Sequence, residues 1–180
     1  MKRYAEYKES GIPCLGIVPK EWKIIRFRYL GALNAGGVDK KVVEGEPLFK
    51  SVHYMDVYRG SLQNIYNSND YLIVSATAQK QSNCTLLRGD VLFTSSSETP
   101  EDIGHSCVVG ENLDNTLFGY HLMRFRPKVD IALEFEKYLF GAYYMRKWFA
   151  YRAVGMTRFG CTGFAASNSG ATSDCQLPRP

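Results

Sequence analysis

The sequence predicts an α+β domain: a mostly antiparallel β core followed by one long amphipathic helix. Three observations carry this. Short apolar runs bounded by Gly, Pro, Asn or Asp recur as far as Pro127. From Ile131 to Ala153 the period changes, and Phe135, Tyr138, Leu139, Ala142, Met145 and Phe149 recur at three- and four-residue steps. The chain has 180 residues, 45% hydrophobic and 13% aromatic, which suits one domain with its own core.

In order along the chain, residues 4–21 read as a polar lead-in, because Gly11, Pro13, Gly16 and Pro19 interrupt regular structure. "EWKIIRFRYLG" is dense in apolar residues and fits a strand or a short packed element. "NAGGVDKKVVEGE" is a turn-rich loop. "PLFKSVHYMDVYRGSL" reads as a strand with aromatic ends closed by Arg59-Gly60, and "DYLIVS" as another. In "LLRGDVLFT", Gly89-Asp90 makes a turn into a buried run of Val91, Leu92 and Phe93. "HSCVVGEN" and "GYHLMRFRP" follow. In the latter, Leu122, Arg124 and Arg126 alternate with His121, Met123 and Phe125. The long helix comes next, with Glu136, Lys137, Arg146 and Lys147 on its polar side. After Thr157 the texture changes: "GCTGFAASNSGATSDCQLPRP" is mostly Gly, Ala, Ser and Thr, with Phe164 and Leu177 its only large apolar residues, which predicts a flexible tail over 165–180.

Composition narrows the function classes. The formal charge of +4 permits a polyanionic partner without requiring one. Locally, Arg124, Arg126, Lys128, Lys137, Arg146, Lys147, Arg152 and Arg158 face only Asp130, Glu134 and Glu136, so this stretch is basic. No signal peptide or membrane-length apolar stretch is visible, and a cytoplasmic location is expected. The five cysteines, Cys14, Cys84, Cys107, Cys161 and Cys175, are odd in number and irregularly spaced, which predicts reduced thiols and no zinc site.

The segment "GDVLFTSSSETPEDIG", residues 89–104, ends a strand in Thr94, Ser95, Ser96 and Ser97. A serine nucleophile needs a base in reach, and the usual hydrolase elbow sets it between glycines. No glycine flanks these serines, and His53, His105 and His121 stand in no recognisable triad pattern. A phosphate-cradling loop needs glycines and often a lysine, and neither is present before Gly104. Glu98, Glu101 and Asp102 are compact rather than spaced as metal-nuclease carboxylates are. Two readings stay open, a plain turn and a surface of hydroxyls that bond base edges and phosphates. Tyr54, Tyr58, Tyr66 and Tyr71 are likewise either stacking platforms or half-buried strand residues.

The ordered motifs resemble a target recognition domain from the specificity subunit of a type I restriction–modification system. "YKESGIPCLGIVPKEWKIIRFRYLG" is similar to that family's opening, with Cys14 where a Trp is usual. "RGDVLFTSSSETPEDIGHSCVV", "NTLFGYHLMRFRP" and "FEKYLFGAYYMRKWFAYRAVGMTRFG" resemble its later motifs in the family's order. An arginine common in that loop is replaced here by Ser95 or Ser96. The resemblance covers about residues 7–164.

The resemblance implies a non-catalytic module that reads one half of a split double-stranded DNA target. Partner subunits would perform the chemistry: a methyltransferase using S-adenosylmethionine and a translocating nuclease using ATP and Mg. The chain itself would need no cofactor and no metal. By motif position, Arg59 and Arg158 are expected at phosphates or guanine. Ser95, Ser96, Ser97 and Thr157 are expected at base edges or phosphates, and Tyr120 and His121 are expected to position the neighbouring loop. The expected division is a recognition domain over 1–164 and a tail over 165–180. After Phe164 the family's short strand and long spacer helix are expected, and this sequence has no heptad pattern there. A shifted frame or truncation would produce such a tail, and a chain so built would assemble no working methyltransferase. Among partners a second copy of the chain, as a homodimer, is also considered. A stand-alone hydrolase or nuclease using the serine and acidic residues, and a folded remnant that no longer binds DNA, are the alternatives.

Overall fold

The computed structural model describes residues 4–12, 15–155, 159–160 and 176–179. Two sheets and a helical layer make the body. The first sheet has five strands in the order Gly31–Ala35, Leu122–Pro127, Val91–Thr94, Ser106–Val109 and Asn64–Ile65. Its pairings are antiparallel except the last, which is parallel. The second has four strands in the order Leu72–Ser75, Leu48–Val52, Leu113–Phe118 and Thr85–Leu86, with only the middle pair parallel.

Strand alternation feeds two cores. Leu92, Cys107, Val109 and Leu122 face the second sheet and pack with Val52, Val74 and Phe118. Val91, Phe93, Val108, Met123 and Phe125 face the other way, onto Leu139, Phe140, Met145 and Phe149 of the helices. The five-stranded sheet is thus covered on both faces, which is why Val91–Thr94 is buried at every position. Phe27 stacks on Phe125 at 4.1 Å between centroids, and Phe93 meets Phe149 at 5.2 Å. Each such buried ring contributes roughly 1.5–3 kcal/mol.

The helical layer departs from the expected single helix. Leu133–Gly141 and Tyr143–Arg152 are separate helices, broken at Ala142, whose backbone is extended at φ −62°, ψ 147°. Phase explains the break. Glu136, Leu139 and Phe140 are the buried positions of the first helix, and Met145 and Phe149 of the second. On one straight helix of about 3.6 residues per turn these two sets would point to opposite sides. The kink turns both onto the same sheet.

Other differences are local. The segment read as one strand to Leu62 is the strand Leu48–Val52 and then a helix, Tyr54–Arg59. His53 and Asp56 close a reciprocal cap at its start, the Asp56 carboxylate accepting from the His53 N–H at 2.7 Å. Ala78–Asn83 is a short helix started by Thr77. The lead-in holds a small hairpin, Tyr7–Glu9 with Ile17–Pro19. Of the segment 165–180, Gln176–Arg179 is a strand paired with Lys23–Arg26, and the rest lies outside the described residues. Cys84 and Cys107 are buried free thiols, both pushed up by burial, Cys107 to about 12. Cys14, Cys161 and Cys175 lie outside the described residues. Among the described residues, no helix is long and apolar enough to cross a membrane.

Candidate nucleic-acid interface

The strand Val91–Thr94 delivers the serines to one end of the five-stranded sheet. Thr94 is buried, and its hydroxyl accepts from the His105 N–H at 3.0 Å. Backbone bonds clamp both sides of this point, with Thr94 N–H donating to His105 O at 2.9 Å and Gly104 N–H to Thr94 O at 3.0 Å. Thr94 therefore ends the strand as a structural residue. Ser96 and Ser97 then form a two-residue strand paired with Phe159–Gly160. Ser95 and Ser96 are half-buried and Ser97 is buried.

The turn at Gly119–His121 meets the serines from the neighbouring strand. Ser95 N–H donates to His121 O at 3.0 Å, and Ser96 Oγ shares a hydrogen bond with His121 Nδ1 at 3.0 Å. The Tyr120 and His121 rings lie 4.0 Å apart between centroids, with Tyr120 exposed. Gly119 N–H donates to Val52 O and Tyr120 N–H to Val38 O, which fixes the turn on the second sheet. A Cβ at Gly119 would overlap His53 Nδ1, so only glycine admits that imidazole.

His53 leads into the helix Tyr54–Arg59, which forms a third wall. Tyr54 and Tyr58 stack at 5.6 Å, and Tyr58 lies 4.6 Å from the His105 ring. Arg59 is exposed at the helix end. All three histidines of the chain thus gather around the strand end. Burial, and after it Lys40, holds His53 below its ordinary range, with His121 adding to the effect. Burial and then Arg146 lower His105, against the pull of Asp102 at 3.8 Å. Asp102 is tied into the same loop, its carboxylate accepting from the Thr99 hydroxyl at 3.0 Å. Among the described residues, no three His, Cys, Asp or Glu side chains are grouped as a metal site.

Of the expected site residues, Ser95, Ser96, Ser97, Tyr120 and His121 come together, and the helix ending in Arg59 adjoins them through Tyr58 and His105. Thr157 and Arg158 lie outside the described residues. Sequence reasoning missed His53 and His105 as members of this cluster. The available signal was Thr94–Gly104 read as one closed loop, which places His105 opposite Thr94.

The basic stretch is not one free patch. Arg124 is 4% exposed and donates to Thr85 O at 2.6 Å. Arg126 grips Asp90 with two bonds of 2.7 Å. Lys137 pairs with Glu134, and Arg146 donates to Glu101 O at 2.8 Å.

No family model and no curated protein matches the sequence. Solved structures do match by shape. One, from work on complex assembly and conformational transition of the type I R-M system, aligns at TM-score 0.56 and 16% identity over 97% of this chain and 37% of its own. Another, the HsdS subunit from Thermoanaerobacter tengcongensis, aligns at TM-score 0.54 and 15% identity over 97% of this chain and 36% of its own. This chain therefore shares the fold of a segment of those type I R-M structures, and spans about a third of their length.

Proposed function

We propose that this chain is a sequence-reading, double-stranded DNA-binding module of a type I restriction–modification system, without chemistry of its own. The observation that carries this reading is the convergence of Ser95, Ser96, Ser97, Tyr120 and His121 at one sheet end, beside the helix that ends in Arg59. Hydroxyl and imidazole groups donate and accept at base edges, and their small size lets the loop approach the major groove without charge repulsion. Exposed Arg59 supplies a phosphate or guanine contact. Shape likeness to S subunits over 97% of the chain supports the same reading. On it, the module presents DNA to a methyltransferase subunit that brings S-adenosylmethionine, and to a nuclease subunit that brings ATP and Mg. Electrophoretic shift with a duplex library, with and without the methyltransferase subunit, tests it. Retarded duplexes are expected, and their absence in both arms counts against it.

A second reading, a small hydrolase or nuclease, draws on the Ser96–His121 hydrogen bond. Incubation with plasmid and magnesium, and with activated esters, separates the two. Turnover abolished by Ser96→Ala would favour the second.

A further inference from the structure

A cavity of about 220 Å³ opens at the other end of the five-stranded sheet, where Asp90 precedes the strand that Thr94 ends. Its walls come from three places: the turn Leu87–Asp90, the strand end Arg126–Pro127, and the segment Val129–Glu136. Glu136 stands on the first turn of the helix Leu133–Gly141 and is 1% exposed. Among the described residues its Oε2 has no hydrogen-bond partner and is closed to solvent, while the residue itself lines the cavity. Ionised, an unpaired buried carboxylate costs several kcal/mol, so its charged form calls for a cation and without one it holds a proton.

The lining specifies that cation. Leu87, Val129, Ile131 and Leu133 give an apolar wall. The charged groups facing Glu136 are Arg88 and Asp90 from the turn, Arg126 from the strand and Asp130 from the segment before the helix. Arg126 is committed to Asp90 by its two bonds. Three carboxylates and two guanidinium groups leave one negative charge when Glu136 is ionised. One cation on a short apolar stem would cover the wall and neutralise the site.

We propose that this cavity binds a single alkylammonium group, its ammonium on the Glu136 carboxylate and its stem along Leu87, Val129, Ile131 and Leu133. The group is either a free amine or a lysine side chain of a protein partner. Burial, followed by Asp130, holds the Glu136 carboxyl up at about 7 against the opposite pull of Arg88. Binding a cation ionises it and releases a proton.

The test is amide NMR of the full chain, titrated separately with propylammonium chloride, Nα-acetyl-lysine N-methylamide, propanol and sodium chloride. Saturable shifts at Gly89, Asp90 and Leu133 with propylammonium, and none with propanol or salt, are expected. Glu136→Gln should abolish them and leave distant resonances in place. In the unmodified chain, affinity should fall about tenfold from pH 8 to pH 6, as the carboxylate takes up its proton. Binding of both amines supports a free-amine site, and binding of the lysine amide alone assigns the group to a protein side chain. Binding of neither, equal binding of propanol, retention in Glu136→Gln, or an affinity independent of pH would each overturn the proposal.

Discussion

Ser96 Oγ and His121 Nδ1 lie 3.0 Å apart, joining the serine loop to a turn between two other strands. The bond links the end of one strand to the start of its neighbour, since Leu122 pairs with Thr94 in the sheet register. Ser96→Ala and His121→Ala should therefore weaken binding to a selected duplex non-additively. A double-mutant cycle is expected to give a coupling of roughly 0.5–1.5 kcal/mol. Strict additivity would mean that the two side chains act independently.

Arg59 is exposed at the end of its helix. If it touches a phosphate, Arg59→Ala should weaken all duplexes alike and flatten the salt slope by about one unit. If it reads guanine, the loss should be roughly 1–3 kcal/mol at one base position. Binding titrations from low to moderate salt distinguish the two, and unchanged affinity would remove Arg59 from the interface.

Gly104 has φ +81°, and a Cβ there would lie 2.5 Å from Phe149 Cδ2. The residue closes the loop that begins at Thr94 and lets it sit on the second helix. Gly104→Ala should cost on the order of 3 kcal/mol, from left-handed backbone strain and displaced packing together. Denaturant unfolding reads this directly.

Asp90 is 1% exposed, gripped by Arg126 and accepting from the Leu87 N–H at 2.7 Å. Arg126→Ala would leave that carboxylate buried without its cation, and a loss of about 3–5 kcal/mol is expected in the same assay.

Glu136 gives the stability curve its sign. Its folded value of about 7 lies above the ordinary value of 4.5. The folded state then holds more protons than the unfolded one between those limits, so this stability is complete below pH 4.5 and lost as pH rises to about 7. The loss is roughly 3 kcal/mol, and Glu136→Gln should abolish it. His53 and His105 act oppositely. Both are lowered by burial, so their contribution is present above their ordinary value of 6.5 and lost on acidification. Thermal melts of the variant across pH 4–8 should keep only this acid-side loss.

Much of this architecture was legible in the residues. Gly89-Asp90 announced the buried strand, and alternation through His121–Arg126 gave the two faces of the sheet. What the pattern hid was phase. Gly141, beside the break, is a helix-ending residue that the apolar period passes over, and the buried positions on either side fall on opposite sides of a straight helix. The helix Tyr54–Arg59 was masked by aromatic residues that also suit strands. The serine loop was visible as a candidate. Its contact with His121 was not, because it depends on the pairing of Val91–Thr94 with Leu122–Pro127, which no local signal specifies. The basic run misled for a related reason, since Arg124 and Arg126 turn inward to bond Thr85 O and Asp90.

The central claim is that the serine loop reads DNA sequence. The most direct measurement is enrichment from a randomised duplex library, using the full chain with and without a type I methyltransferase subunit, for the unmodified protein and for Ser95→Ala/Ser96→Ala/Ser97→Ala. The unmodified chain should enrich one short defined sequence, and the triple variant should relax or change it at specific base positions. Failure of the unmodified chain to enrich any sequence, or identical enrichment by both proteins, would contradict the account.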